Sequence, residues 1–172
     1  MPLAPFAMGP AKQPDSGTNN PPMMNGVANT GSAIYEGSLL GLSSNLLVAL
    51  TTTPAAGTIV GVAAAANLTA PGYNMGNQPT TVGWRQNIVP YYKASTDTVY
   101  ASHLVNGSDT YVTPATTDIG TSIGLRVTAT GEVVADRSLT TTNARVTILR
   151  IDTEFGTNVV EWVFLSTAIA TV

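Results

Sequence analysis

No stretch of this chain sustains an apolar period of 3.6 residues, and residues that fit a pleated sheet fill the places that helix formers would take. Thr alone occurs 26 times in 172 residues. Thr and Val branch at Cβ, are stiff about χ1 and pack well on a half-buried sheet. The apolar runs are short and are punctuated by Gly, Pro, Asn and Ser, which carry turn chemistry. The pattern predicts a mostly β protein, with a small barrel- or sandwich-like body, an extended N-terminal arm and little helix. A short helix fits only around Asp118 or Ser138.

Proline divides the chain. Positions 2, 5, 10, 14, 21 and 22 are all Pro. Each lacks an amide hydrogen and fixes φ, so neither a helix nor a central strand persists there. Residues 1–30 therefore read as an extended arm with polyproline character. Its Leu3, Phe6, Met8, Met23 and Met24 are unusual for a purely disordered tail, which is poor in such side chains. They are candidate contacts for a groove on a neighbour. Residues 31–172 form a single β domain, with a first β unit over 31–83 and a second over 84–172.

In the first unit, residues 33–35, 39–42 and 46–50 read as strands, with Ser43-Ser44-Asn45 as a turn. "TIVGVA" (58–63) reads as another strand. The alanines that follow, to Ala66, are too few to nucleate a helix between Gly61 and Pro71. "NLTAPGYNMGNQPTTVG" is then a long loop, and such loops are often interfacial.

In the second unit, "WRQNIVPYYKAS" leads into "TVYASHLV". Asn106-Gly107 predicts a two-residue hairpin turn. Thr130-Gly131 predicts a second turn, and "ARVTILRID" a strand. "NVVEWVFLSTAIATV" predicts a last strand, apolar on both parities and so covered on both faces. "GTIVGVAA" (57–64) is echoed by "GTSIGLRV" (120–127), as two strand corners that use glycine for a bend or close approach.

Charge excludes several function classes. Charged residues are 10 % of the chain, against roughly 25 % in ordinary soluble domains. The net charge is -3, and the seven basic residues are scattered. Nucleic-acid binding draws most of its affinity from clustered cations, so no direct nucleic-acid partner is expected. The absence of cysteine excludes disulfides and thiolate chemistry. No apolar run is long enough to span a membrane, and the N-terminus lacks the basic and apolar regions of a secretory signal. Low surface charge suits a chain that rests against a partner.

Catalytic patterns are equally scarce. His103 is the only histidine and lies within a predicted strand. No G-x-S-x-G elbow or phosphate loop occurs, and one His without Cys is a poor start for a metal site. Asp152 and Glu154 share one face of an extended chain, as solvated turn residues. Asn67-Leu68-Thr69 and Asn106-Gly107-Ser108 match the glycosylation pattern. No enzyme, cofactor or metal is expected. Trp162 and Phe164 read as core. Tyr73 and the pair Tyr91-Tyr92 read as interface anchors, since aromatics supply buried area with a polar handle.

The order of the motifs resembles the capsid cement (decoration) proteins of tailed bacteriophages. "AIYEGSLLGLSSNLLVALTTTPAAGTIVGVA" is similar to their first β unit, with its Gly-bearing strand end, short hairpin and closing apolar-Gly-Val-Ala step. "IVPYYKASTDTVYASHL" and "TDIGTSIGLRVTATGEVVADRSLTTTNARVTILRID" are similar to the later strands. The likeness runs over about residues 33–151 and leaves the first 30 and last 20 residues uncovered. It implies a small β body on the outer capsid surface of the virion, assembled in the host cytoplasm. The implied partners are the major capsid protein and further copies of the chain, as trimers or dimers at local symmetry axes. It carries no catalytic residues over. The competing expectation is a glycan- or receptor-binding β module of a fibre or cell surface, with Trp84, Tyr73 and Tyr91 stacking on sugars.

Overall fold

Short apolar runs bounded by turn residues become short strands. A computed structural model of the chain describes residues 9–12, 23–29, 31–65 and 88–171. The described strands are β1 (Gly9–Lys12), β2 (Met23–Val27), β3 (Leu39–Ser43), β4 (Leu46–Ala49), β5 (Gly61–Ala63), β6 (Ile88–Lys93), β7 (Val99–Val105), β8 (Ser122–Val127), β9 (Val133–Asp136), β10 (Val146–Asp152) and β11 (Val159–Phe164). The only helical segments among the described residues are single 3-10 turns at Thr116–Asp118, Thr141–Asn143 and Ser166–Ala168. The chain is mostly β, as its composition predicts.

Two sheets result. One runs β1-β7-β11-β10-β8-β9, and β9 returns to pair in parallel with the far half of β7. Strands β7, β11, β10, β8 and β9 thus close a ring, which removes their free edges. The other sheet runs β2-β6-β5-β3-β4. A bridge between Ala28 and Leu47 draws its two ends together. β6, from the second half of the chain, therefore belongs to the same sheet as β3, β4 and β5.

Each sheet surrounds its own apolar cluster. The larger holds Tyr100, Leu104, Leu125, Ile148, Trp162 and Phe164, and also takes Leu39 and Val62 from the other sheet and Ile59 from the segment before β5. That sharing packs the two sheets into one sandwich-like body. Trp162 and Phe164 are core, as expected. Trp162 stacks on Tyr100 with ring centroids 5.2 Å apart, and Phe164 meets both edge-on. The buried indole N–H of Trp162 donates to Ser102 Oγ at 2.9 Å. The smaller cluster holds Ala28, Ile34, Leu40, Leu47, Val60, Val89 and Tyr91. β11 is buried along nearly its whole length, in accord with its apolar pattern on both parities.

The turn chemistry is read correctly at two places. Ser44 and Asn45 both have positive φ, at 51° and 64°, and join β3 to β4 as a two-residue turn whose twist suits a hairpin. Thr130-Gly131 reverses the chain between β8 and β9, with Gly131 at φ 86°. The Asn106-Gly107 expectation is corrected. Val105 bridges to Tyr111, so the reversal takes five residues, 106–110, and no strand follows. The Gly107 amide is instead drawn to Asp136 Oδ1 at 2.9 Å. A tertiary acceptor thus replaces the tight turn.

Three strand expectations are also corrected. Residues 33–35 are irregular: Ile34 is fully buried, but the Tyr35 amide donates to Ser38 Oγ rather than to a neighbouring strand. In 58–63 only Gly61–Ala63 is a strand, with Ile59 making a lone bridge to Ile169. The final strand stops at Phe164, where the chain turns through Ser166–Ala168 before reaching Ile169.

The echo between 57–64 and 120–127 has a common physical content. A Cβ on Gly61 would collide with the Tyr92 carbonyl oxygen, and one on Gly124 with Leu139 Cβ. Both glycines let a second segment cross at backbone contact.

The proline-rich arm is not wholly without partners. β1 contains Pro10 yet pairs with β7, and β2 pairs with β6. Among the described residues both have one ladder neighbour, the position that tolerates a missing amide. Pro90 lies inside the sheet, in β6. Its carbonyl accepts from the Ala64 amide at 2.9 Å, one residue past the end of β5. The missing amide therefore falls where that ladder has already stopped.

Candidate functional site

Four of the expected interface residues meet in one seam. Met23 is the register partner of Tyr92, and Met24 of Tyr91. Met23 and Met24 are 61 % and 43 % exposed, and Val27 on the same strand is 51 % exposed. The Tyr91 hydroxyl points at Met24 Sδ, 3.9 Å away. Tyr91 itself is buried in the smaller core and Tyr92 is half-buried, so Tyr91 anchors its own chain's arm instead of offering a free ring. Gly26 of β2 lies against Leu47 and Tyr91, where a Cβ would clash, and Ala28 is buried. β2 is thus held by a main-chain ladder, by two small residues and by the Met24 contact with Tyr91, and Met23, Met24 and Val27 keep much of their surface exposed. Leu3, Phe6, Met8, Tyr73 and Trp84 lie outside the described residues.

A second cluster is invisible in the sequence. Glu132, just after the β8–β9 turn, is buried, and its two oxygens are both engaged. His103 Nδ1 lies 2.7 Å from Oε1, and the Tyr111 hydroxyl donates to Oε2 at 2.5 Å. The His103 and Tyr111 rings stack with centroids 4.0 Å apart. The Glu132 amide donates to Thr128 Oγ1, which fixes the carboxylate's backbone. The hydrogen bond to Glu132 pushes the Tyr111 hydroxyl up to about 12, helped by partial burial and by the charges of Glu132 and Asp109. Tyr111 keeps 41 % of its surface exposed, so the cluster reaches the surface through this ring. His103 is 29 positions from Glu132, a separation only the closed strand ring brings together. No local signal marks the pair.

Other buried charges serve the fold. Asp136, fully buried, accepts from the Gly107 and Ser138 amides and the Ser138 hydroxyl at Oδ1, and from Arg126 Nε at Oδ2. Burial pushes its carboxyl up, but these hydrogen bonds outweigh burial and hold it below the ordinary range. Asp118 accepts from the Ala115 amide and from Arg137. Arg145 is buried and donates to the carbonyls of Pro54, Thr142 and Ala144. Burial lowers its guanidinium pKa.

The Asp152–Glu154 expectation is corrected in part. Glu154 is exposed, but Asp152 is buried, and its Oδ1 accepts from the amides of Glu154 and Phe155. The carboxylate ties the β10–β11 turn instead of facing solvent. Among the described residues, no group of three or more His, Cys, Asp or Glu is arranged to hold a metal ion, and no helix is long and apolar enough to cross a membrane.

No family model matches the chain, and no curated protein or solved structure is significantly similar to it.

Proposed function

We propose that the chain is a structural virion protein, a capsid cement protein that binds the outer surface of the major capsid protein and stabilises the mature head. The observation that carries this reading is the set of apolar side chains left exposed on β2, Met23, Met24 and Val27, on a strand at the start of the body. Such an edge suits recognition by strand addition, in which main-chain bonds give affinity and alternate side chains give specificity. The motif order over about residues 33–151 supports the same reading. So does the division of labour among charges: the buried carboxylates are bound up in turns and strands, which stiffens the body. Weak contacts repeated by symmetry then add up through avidity. Cryo-electron microscopy of the source particle tests it: the chain should decorate the outer shell, and its absence from mature capsids refutes the reading. A chain lacking residues 1–30 should occupy fewer sites; full occupancy removes the arm from the interface.

Tyr111 favours a second reading, a glycan-binding β module. Its ring is exposed, held flat against His103 and fixed through its hydroxyl, which makes a rigid stacking platform. A glycan array decides between the two: signal that disappears in Tyr111→Ala supports the module, and a blank array leaves the capsid reading.

A further inference from the structure

Where glycine follows asparagine, the glycine nitrogen can attack the asparagine side chain, because no Cβ shields it and the backbone folds back freely. The chain holds two such pairs, Asn25-Gly26 and Asn106-Gly107. The first lies inside β2, where Gly26 is the register partner of Val89. The second lies in the wide reversal after β7, where residues 106–110 are all exposed and Gly107 has φ 78°. Exposed loop tips of this kind are where spontaneous chain chemistry concentrates.

The reaction needs only the chain and water. The Gly107 nitrogen forms a bond to Asn106 Cγ, the bond from Cγ to the side-chain nitrogen breaks, and ammonia leaves with the Gly107 amide proton. Water then opens the succinimide ring at either carbonyl and leaves aspartate or isoaspartate. Nothing is oxidised or reduced. Isoaspartate routes the main chain through the former side chain, and so lengthens the loop between Val105 and Tyr111, the bridged pair that brackets it. Tyr111 is the residue whose hydroxyl is bound to Glu132, so the change would reach that cluster.

The fold occupies the nucleophile. The Gly107 amide donates to Asp136 Oδ1 at 2.9 Å. Ser138 Oγ lies 3.4 Å from where a Gly107 Cβ would stand, on the side that glycine leaves open. Asp136 is fully buried and cannot serve as the base. Its Oδ1 also accepts from the Ser138 amide and hydroxyl, and its Oδ2 accepts from Arg126. Its negative charge opposes the loss of a proton from the nitrogen it faces, since a like charge disfavours the ionised form. We propose that Asn106 is a latent self-modification site, a succinimide-forming asparagine, and that Asp136 holds it unreacted by binding the Gly107 amide. Freeing that amide, by opening of the loop or loss of the carboxylate, starts the reaction. The proposal concerns the isolated protein and stands apart from the capsid reading.

Hydrogen exchange and peptide mass spectrometry test it on the full chain. The Gly107 amide, although on an exposed loop, should exchange about ten-fold or more below the free-chain rate. At mildly alkaline pH, deamidation at Asn106, mapped separately from Asn25, should run about ten-fold or more slower in the folded protein than in the same protein held unfolded in urea. Asp136→Ala, assayed where circular dichroism shows it folded, should deamidate at Asn106 several-fold faster than the parent. Ser102→Ala, which weakens the larger core away from this loop, should leave the rate unchanged. Gly107 exchange at the free-chain rate overturns the proposal, as does equal deamidation of folded and unfolded protein, and neither measurement needs a variant that folds. Equal acceleration in Ser102→Ala and Asp136→Ala also overturns it, because general loosening would then explain the rate.

Discussion

The Tyr111 hydroxyl sits 2.5 Å from Glu132 Oε2, and so joins an exposed ring to a carboxylate that is almost wholly buried. The bond is charge-assisted, and such bonds contribute more than neutral ones. Tyr111→Phe keeps the stack on His103 but leaves a buried oxygen without its donor. The expected loss is about 1–3 kcal/mol of unfolding free energy, read by urea denaturation at neutral pH. A change within error would show that the bond contributes nothing net.

The same bond sets an alkaline dependence. Tyr111 is neutral while protonated, and folding raises its pKa from 10.0 to about 12. The folded state therefore holds this proton more tightly than the unfolded chain. Its contribution to stability is complete below pH about 10 and disappears as pH rises through about 12. Absorbance titration of tyrosinate in the parent and in Tyr111→Phe isolates this group. The difference curve should titrate near the upper end of that window, and a midpoint at the ordinary tyrosine value contradicts the geometry.

Asp136 gives the acid counterpart. Burial raises its pKa, and the bonds from Ser138, Gly107 and Arg126 more than reverse that, so the folded value lies below 3.8. Its stabilisation is present above the ordinary carboxylate range and is lost as pH falls through the depressed folded value. Asp136→Ala strands the Arg126 guanidinium and two turn amides together. We expect a loss of about 3–5 kcal/mol at neutral pH by thermal or urea unfolding, as for other broken buried pairs. A loss below about 1 kcal/mol would mean that water replaces the carboxylate.

Ser102 and Trp162 form a buried polar contact at the larger core. Ser102→Ala leaves the buried indole N–H without its acceptor at an otherwise unchanged position. The expected loss is about 1–3 kcal/mol, with a red-to-blue change in Trp162 fluorescence as its hydrogen bond is removed. An unchanged emission spectrum would place the indole in another environment.

Glycine substitutions separate packing from propensity. Gly124→Ala forces a Cβ onto Leu139 and to 2.9 Å from the Asn143 carbonyl oxygen, so we expect a loss of about 1–3 kcal/mol or more. Gly31→Ala meets open space and should be neutral or stabilising by up to about 1 kcal/mol. Equal melting temperatures for the two variants would show that the crossing at Gly124 relaxes freely.

Local chemistry made much of the fold legible. Ser44-Asn45 and Thr130-Gly131 turn where their residue types demand positive φ or a tight reversal, and the apolar runs of β10 and β11 pair as written. The misreadings have one cause. Asn106-Gly107 carries a strong turn signal, but Asp136, 29 positions away, captures the Gly107 amide and widens the reversal. Residues 33–35 have strand composition, but of the three Ile34 alone is buried, and the Tyr35 amide turns back locally to Ser38 Oγ. The candidate interface was partly legible because Met23, Met24, Tyr91 and Tyr92 are conspicuous types; that they face one another was not.

By itself, then, the sequence determines a β protein with a proline-marked arm, because stiffness at Cβ and the missing proline amide act within a few residues of where they occur. Only the tertiary structure decides that His103, Tyr111 and Glu132 share hydrogen bonds, that Asp152 is buried, and that β2 rests on β6. Those outcomes depend on closing a ring of strands and curling a second sheet, and strand order is set by the joint burial of distant apolar faces. No local propensity carries that information.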